Sequence, residues 1–245
     1  MRTSLHRFLS VAAVFAAGAS AEVIYETTGP FGGPFGLWGA DVFTGQAVAQ
    51  RFESPGQYRL DLARLWMMSN DFAGTVDEFM TVSVQTDAGG PGESYPSGLA
   101  LATVTIEITA IGWDPVLEQI TYAERPWIFP GERYWVVCES QAAGGEDPVW
   151  TFASEGLGFN AFRPWDATWQ PGGTGAELTM IVEATPSPCL ADLAGPVGVL
   201  DLADIQAFVA AFIAGHAAAD IAEPRAVFDL SDLAAFVETF LSGCG

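Results

Sequence analysis

Two stretches near the end of the chain are copies of one another, and no other feature restricts the fold so tightly. The first runs from Ala191 to Phe212 and the second from Ala219 to Phe240, at a constant offset of 28 residues from Asp192 to Asp220. Asp192, Pro196, Val199, Asp201, Asp204, Phe208, Val209 and Phe212 recur without a gap as Asp220, Pro224, Val227, Asp229, Asp232, Phe236, Val237 and Phe240. Matches at this density mark an internal repeat. Within each copy the apolar residues fall at i, i+3, i+4 and i+7, as Ile205, Phe208, Val209, Phe212 and as Leu233, Phe236, Val237, Phe240. That is the helical period, so each unit reads as a loop followed by a helix with one apolar stripe. A single helix of about twelve residues is marginal in water. The two stripes are therefore expected to face each other around a small shared core. A module of this size needs a staple. Cys189 and Cys244 bracket it and are the expected disulfide pair.

The rest of the chain follows a different pattern. From residue 22 to residue 185 the segments 23–28, 47–52, 58–68, 79–86, 101–108, 119–122, 133–139, 149–153 and 177–184 read as strands. Several alternate, as in Thr81-Val-Ser-Val-Gln-Thr86, placing apolar side chains on one face. Gly/Pro turns such as Phe129-Pro-Gly-Glu132 separate them. The expectation is a mainly β protein: an antiparallel β-sandwich or jelly roll over 22–185, a short stiff linker at 186–188, and the two-helix module over 189–245. Cys138, inside the apolar run Tyr134-Trp-Val-Val-Cys138, is expected to be a buried free thiol.

Residues 1–21 read as an export signal. Arg2, His6 and Arg7 precede an apolar stretch from Phe8 to Ala17, and Ala19-Ser20-Ala21 fits the small-residue cleavage rule. The apolar run is shorter than the roughly 20 residues of a transmembrane helix. The expected product is secreted, begins at Glu22 and has no membrane span. The whole chain carries 9 basic residues, all Arg, against 30 acidic ones, for a net charge of −21. Such a surface repels nucleic acid and anionic lipid.

Composition also restricts chemistry. Only His216 remains beyond the signal, and it lies between the repeats. A Ser-His-Asp triad in the β part is therefore excluded. With no Lys, Schiff-base and Ser-Lys chemistry are excluded too, and no His/Cys cluster of zinc type is present. Carboxylate-pair hydrolysis of glycosidic bonds is the one catalytic class left open, with Glu107 and Glu118 as nameable acids whose more ordinary role is a solvated sheet edge. The Trp-rich stretch offers another possibility. Trp165 and Trp169, with Asp166, Asn160 and Arg163, have the residue types that stack on and hydrogen-bond to sugars. The competing use of such aromatics is core packing.

The repeat loops carry acids at spacings similar to those of calcium loops. Asp192, Asp201 and Asp204, with the carbonyl of Val199, form the first candidate set. Asp220, Asp229 and Asp232, with Val227, form the second. On these residues, and on the terminal Gly243-Cys244, the module resembles the Gly-Cys-ended type of dockerin module of secreted, planctomycete-like bacterial proteins. The resemblance covers 189–245. It implies two roughly antiparallel helices, calcium in the loops and docking to a cohesin-like or cell-surface scaffold protein. The family's Asn and second Asp are replaced by Ala194 and Pro196 in one loop and by Ala222 and Pro224 in the other, and the loop is one residue longer. Two readings stay open: weak calcium binding, or a metal-free loop whose acids cap the helix. By the same resemblance, Ala203 and Ser231 at the helix starts are candidate partner contacts, while Leu202 and Leu230 are expected to pack against the opposite helix. The segments 47–52, 58–66, 79–87 and 131–137 are similar to extracellular jelly-roll domains that occur with varied C-terminal anchors. The function expected from all of this is non-catalytic surface attachment, with display or glycan binding by the sandwich. The alternative is a polysaccharide-degrading hydrolase subunit tethered by the same module.

Overall fold

The computed structural model describes residues 20–32, 37–75, 77–89, 94–164, 167–172, 176–187, 189–195, 199–222 and 227–243. The strands, in chain order, are β1 (Glu22–Glu26), β2 (Gly39–Asp41), β3 (Gln46–Glu53), β4 (Tyr58–Ser69), β5 (Phe79–Asp87), β6 (Pro96–Glu107) and β7 (Val116–Thr121). They continue as β8 (Trp127–Ile128), β9 (Arg133–Ser140), β10 (Pro148–Leu157), β11 (Asn160–Pro164), β12 (Gln170–Pro171), β13 (Ala176–Leu178) and β14 (Met180–Pro186). Two helices follow, α1 (Leu202–Ala214) and α2 (Leu230–Ser242). The expected export signal lies outside the described residues, except for its last two positions.

The strands make two antiparallel sheets. One has the order β1-β14-β4-β10-β13, with β2 on β10 and with β7 and β8 on β4. The other has the order β12-β11-β3-β9-β5-β6. Their inner faces share one apolar core, to which Leu60, Leu65 and Met67 of β4 and Val82, Val84, Tyr134 and Val136 of the opposite sheet contribute. The pleat decides which way each side chain points. In β9, Tyr134, Val136 and Cys138 face this core, while Trp135 and Val137 face outward into a second apolar cluster with Ala49 and Ala161. That strand is buried on both faces, which explains its unbroken apolar run. Cys138 is free and fully buried, and burial pushes its thiol up.

The helices pack through the repeat. Phe208 of α1 and Phe236 of α2 stack with ring centroids 4.1 Å apart and 15° between planes. Leu193 and Ile221 from the two loops close the same small core. Cys189 is disulfide-bonded, and it too lies in this core. Cys244, its expected partner, lies outside the described residues. The helical pair sits against the sandwich. Phe129 packs into its core and meets the edge of His216 at 5.5 Å, and the Ser187 N–H donates to the Gln57 carbonyl at 3.0 Å. No described helix is long and apolar enough to cross a membrane.

Candidate functional site

Each helix begins at an aspartate held in extended backbone. Asp201 is the N-cap of α1, and its Oδ1 accepts the Ala203 N–H at 2.7 Å. Asp204 completes a capping box, its Oδ2 accepting the Asp201 N–H at 2.9 Å. The other oxygen of Asp204 reaches across the loop and accepts the N–H groups of Leu193 at 2.8 Å and Ala194 at 2.7 Å. One buried carboxylate thus joins the first turn of the helix to the first turn of its loop. The second copy repeats the arrangement. Asp232 accepts from Ile221 and Ala222, both at 2.9 Å, and from Asp229 at 3.1 Å, while Asp229 caps α2 through the Ser231 N–H at 2.7 Å. Hydrogen bonds from the hydroxyl of Ser231, and then from its backbone N–H, hold the Asp229 carboxyl below its ordinary value.

These contacts bear directly on calcium. The ion takes six to eight oxygens. A carboxylate has about four acceptor positions, and three of them are occupied by backbone N–H groups on Asp204 and likewise on Asp232. Asp192 is buried against the sandwich, where its charge acts on Arg59 and opposes the lowering that burial and Arg125 impose on that guanidinium. Asp220 is half-buried. Val199 and Val227 leave their side chains half exposed. Among the described residues no three His, Cys, Asp or Glu side chains converge to hold a metal. In the described part of each loop, the acids act as helix caps and as latches on the loop backbone.

The outer face of the helical pair departs from the expectation for its leucines. Leu202 is 66 % exposed and Leu230 is 81 % exposed, so neither packs against the opposite helix. Both stand in the first turn, beyond the reach of the short Phe208–Phe236 contact that joins the helices. The apolar stripe therefore straddles the boundary between core and solvent. Phe208 and Phe236 are buried, whereas Ile205, Val209, Leu233 and Val237 line an all-apolar groove of about 210 Å³ between the helices. Ala203 is half-buried and Ser231 is exposed at the rim.

Among the described residues proposed for sugar contact, Arg163 and Trp169 meet, while Asn160 bonds to a neighbouring strand. Arg163 pairs with Glu139 and lies 5.0 Å from the Trp169 ring centroid. Trp169 is half-buried and packs on the outer cluster of β9. The Asn160 amide donates to the Ala176 carbonyl and so joins β11 to β13. Trp165 and Asp166 lie outside the described residues. Glu118, one of the nameable acids, is buried, and its Oε1 accepts both the N–H and the hydroxyl of Thr109 at 2.7 Å. Glu107 is exposed at the end of β6.

Sequence reasoning missed Trp38 and Trp113, which stand exposed at one end of the sandwich. The available signal was negative: both adjoin glycine, outside any alternating run. Beneath them lies a polar knot. Ser69 donates to Glu78 at 2.7 Å, and Asn70 donates to both Asp41 and Asp147 at 3.3 Å. Burial pushes the Glu78 carboxyl above its ordinary 4.5, with the charges of Asp71 and Asp147 adding to the effect. Burial likewise pushes Asp147 above its ordinary 3.8, against hydrogen bonds from Gly145 and Asn70. A raised folded-state value stabilises the fold fully below the ordinary carboxylate range, and that contribution is lost as pH rises through the folded value. Thermal stability should therefore decline from this pair as pH is raised upward from about 4. Glu78→Gln, which keeps an acceptor for Ser69, should flatten the decline. Melting curves across that window check this, and identical slopes in variant and parent would count against it.

No family model matches the chain, and a search of curated proteins finds no match either.

Proposed function

We propose that the protein is a secreted, non-catalytic attachment protein. In this reading the dockerin-like helical pair docks to a protein on the cell surface or on a multiprotein scaffold, and the jelly-roll-like sandwich is the part displayed. The observation that carries the reading is the apolar face that crosses both helices, with Leu202 and Leu230 at its two equivalent ends. Contiguous exposed apolar surface on a folded unit marks an interaction site. Its rim is acidic, with Asp201, Asp229 and Glu238, and the described residues of the pair include no Lys or Arg. The matching partner is a protein with an apolar ridge flanked by basic groups. A second copy of the chain is a poor occupant, because like rims would meet on molecules that each carry −21.

The test uses the full-length chain and cell envelopes of the producing organism. Saturable binding is expected, weakening as salt is raised, since charged rims are screened. The double variant Leu202→Glu, Leu230→Glu should lose binding by about tenfold or more while keeping its melting temperature, because both side chains are exposed. Equal binding by variant and parent would overturn the proposal.

A further inference from the structure

Two tryptophans stand in solvent at one cleft that neither the core nor the helical pair uses. Trp38 is 67 % exposed and Trp113 is 52 % exposed. Rings of this size gain most from burial, so two left open at one cleft require a reason. Both line a cleft of about 220 Å³ that also holds Leu37, Asp41 and Asn70.

The rings are mounted on fixed backbone. The Phe152 N–H donates to the Trp38 carbonyl at 2.8 Å. The next residue, Gly39, pairs with Thr151 of β10, where a Cβ would fall 2.4 Å from the Trp150 carbonyl oxygen. Only glycine lets β2 lie this close and carry Trp38 to the rim. On the other side, Gly112 adopts a left-handed φ of +59°. Its carbonyl accepts the Ser69 N–H at 2.9 Å, and its own N–H donates to the Asp71 carbonyl at 3.0 Å. Trp113 is thereby tied to the end of β4. Its ring lies 5.8 Å from Phe72, and its indole N–H donates to Asn70 Oδ1 at 3.2 Å. The Asn70 amide in turn donates to Asp41 Oδ1. The cleft thus combines two exposed indoles, one of them tied by its N–H, with an oriented amide and an exposed carboxylate.

We infer that this cleft binds a sugar ring of a neutral polysaccharide. A pyranose has an apolar C–H face bordered by hydroxyls. The indoles of Trp38 and Trp113 cover such a face, and the Asp41 carboxylate accepts a hydroxyl hydrogen at its edge. A volume below the roughly 300 Å³ at which drug-sized pockets begin suits one ring of a longer chain rather than an enclosed oligomer. The net charge of −21 selects against anionic glycans. This inference deepens the display role proposed for the sandwich and relies on no property of the helical pair.

The test is calorimetry and tryptophan fluorescence on the full-length protein with cellohexaose, xylohexaose, mannohexaose and laminarihexaose. At least one should bind and shift the emission. Trp38→Ala and Trp113→Ala should each weaken that binding about tenfold or more, whereas Trp169→Ala should not. On the unaltered protein, the bound oligosaccharide should protect Trp38 and Trp113 from oxidation by N-bromosuccinimide, a readout that needs no variant to fold. Binding of none of the four, or binding with neither residue protected, would overturn the inference. Envelope binding kept in full by the Leu202/Leu230 variant would strike the docking reading and leave this one standing.

Discussion

Asp204→Ala should melt the helical pair while the sandwich stays folded. The substitution strands three backbone N–H groups, those of Leu193, Ala194 and Asp201. The Leu193 N–H is buried and the other two are partly so, and at about 1–3 kcal/mol for a buried orphan the total is about 3 kcal/mol. The small core around Phe208 and Phe236 has little reserve against a loss of that size. Amide hydrogen exchange reads the result directly: the amides of Leu193 and Ala194, and those of α1, should lose protection, while those of β4 and β9 keep theirs. Asp201→Ala, which removes an exposed cap, should cost only about 1 kcal/mol. Because the carboxylate closes the loop by itself, calcium and chelator should leave the melting of the pair unchanged. A rise of several degrees with millimolar calcium would show that the acids abandon their backbone donors for the ion. Full protection in Asp204→Ala would refute the latch itself.

The second large effect lies in the sandwich. Trp150 is fully buried, and its indole N–H donates to the Thr179 carbonyl at 2.7 Å. Thr179 is itself linked to Thr151 through hydroxyls 2.8 Å apart, and it accepts the Trp66 N–H at 3.3 Å. Removing the ring opens a cavity between the sheets and leaves a polar group without its donor. Trp150→Ala should cost about 3–5 kcal/mol from the cavity alone. Trp150→Phe restores much of the volume but not the donor, and it should lie between alanine and parent. Chemical denaturation followed by near-ultraviolet circular dichroism gives both values. A loss below about 1 kcal/mol in the alanine variant would mean the sheets close over the gap.

What could be read in advance divides along physical lines. Period and turn chemistry are local properties, so the long strands β3, β4, β5 and β9 and both helices were legible from alternation and from the repeat. Cys138 was legible because an unbroken apolar run leaves a thiol nowhere else to go. The short strands β2, β8 and β12 were not, because two or three residues carry no period and pair only where a neighbour offers an edge. Helical period shows that Leu202 and Leu230 belong to an apolar stripe, but not that the stripe is wider than the contact covering it. The acids of the repeat were visible as acids. That Asp204 and Asp232 bind their own loops follows from chain geometry that spacing does not encode. The sandwich end with Trp38 and Trp113 was hidden for a related reason: its two indoles are 75 residues apart in sequence and meet at the ends of β2 and β4.

The junction between the two parts has a mechanical consequence. The chain enters the helical pair directly from β14, an interior strand paired with β4 along its length and with β1 over residues 181–184. A pull on a docked helical pair would run lengthwise along that strand and load both rows of hydrogen bonds together, in shear. Strands loaded this way part all at once rather than peeling open bond by bond. With Ser187 and Phe129 seating the helices on the sheet, the tether is stiff, and a tug at the anchor turns the whole sandwich with it.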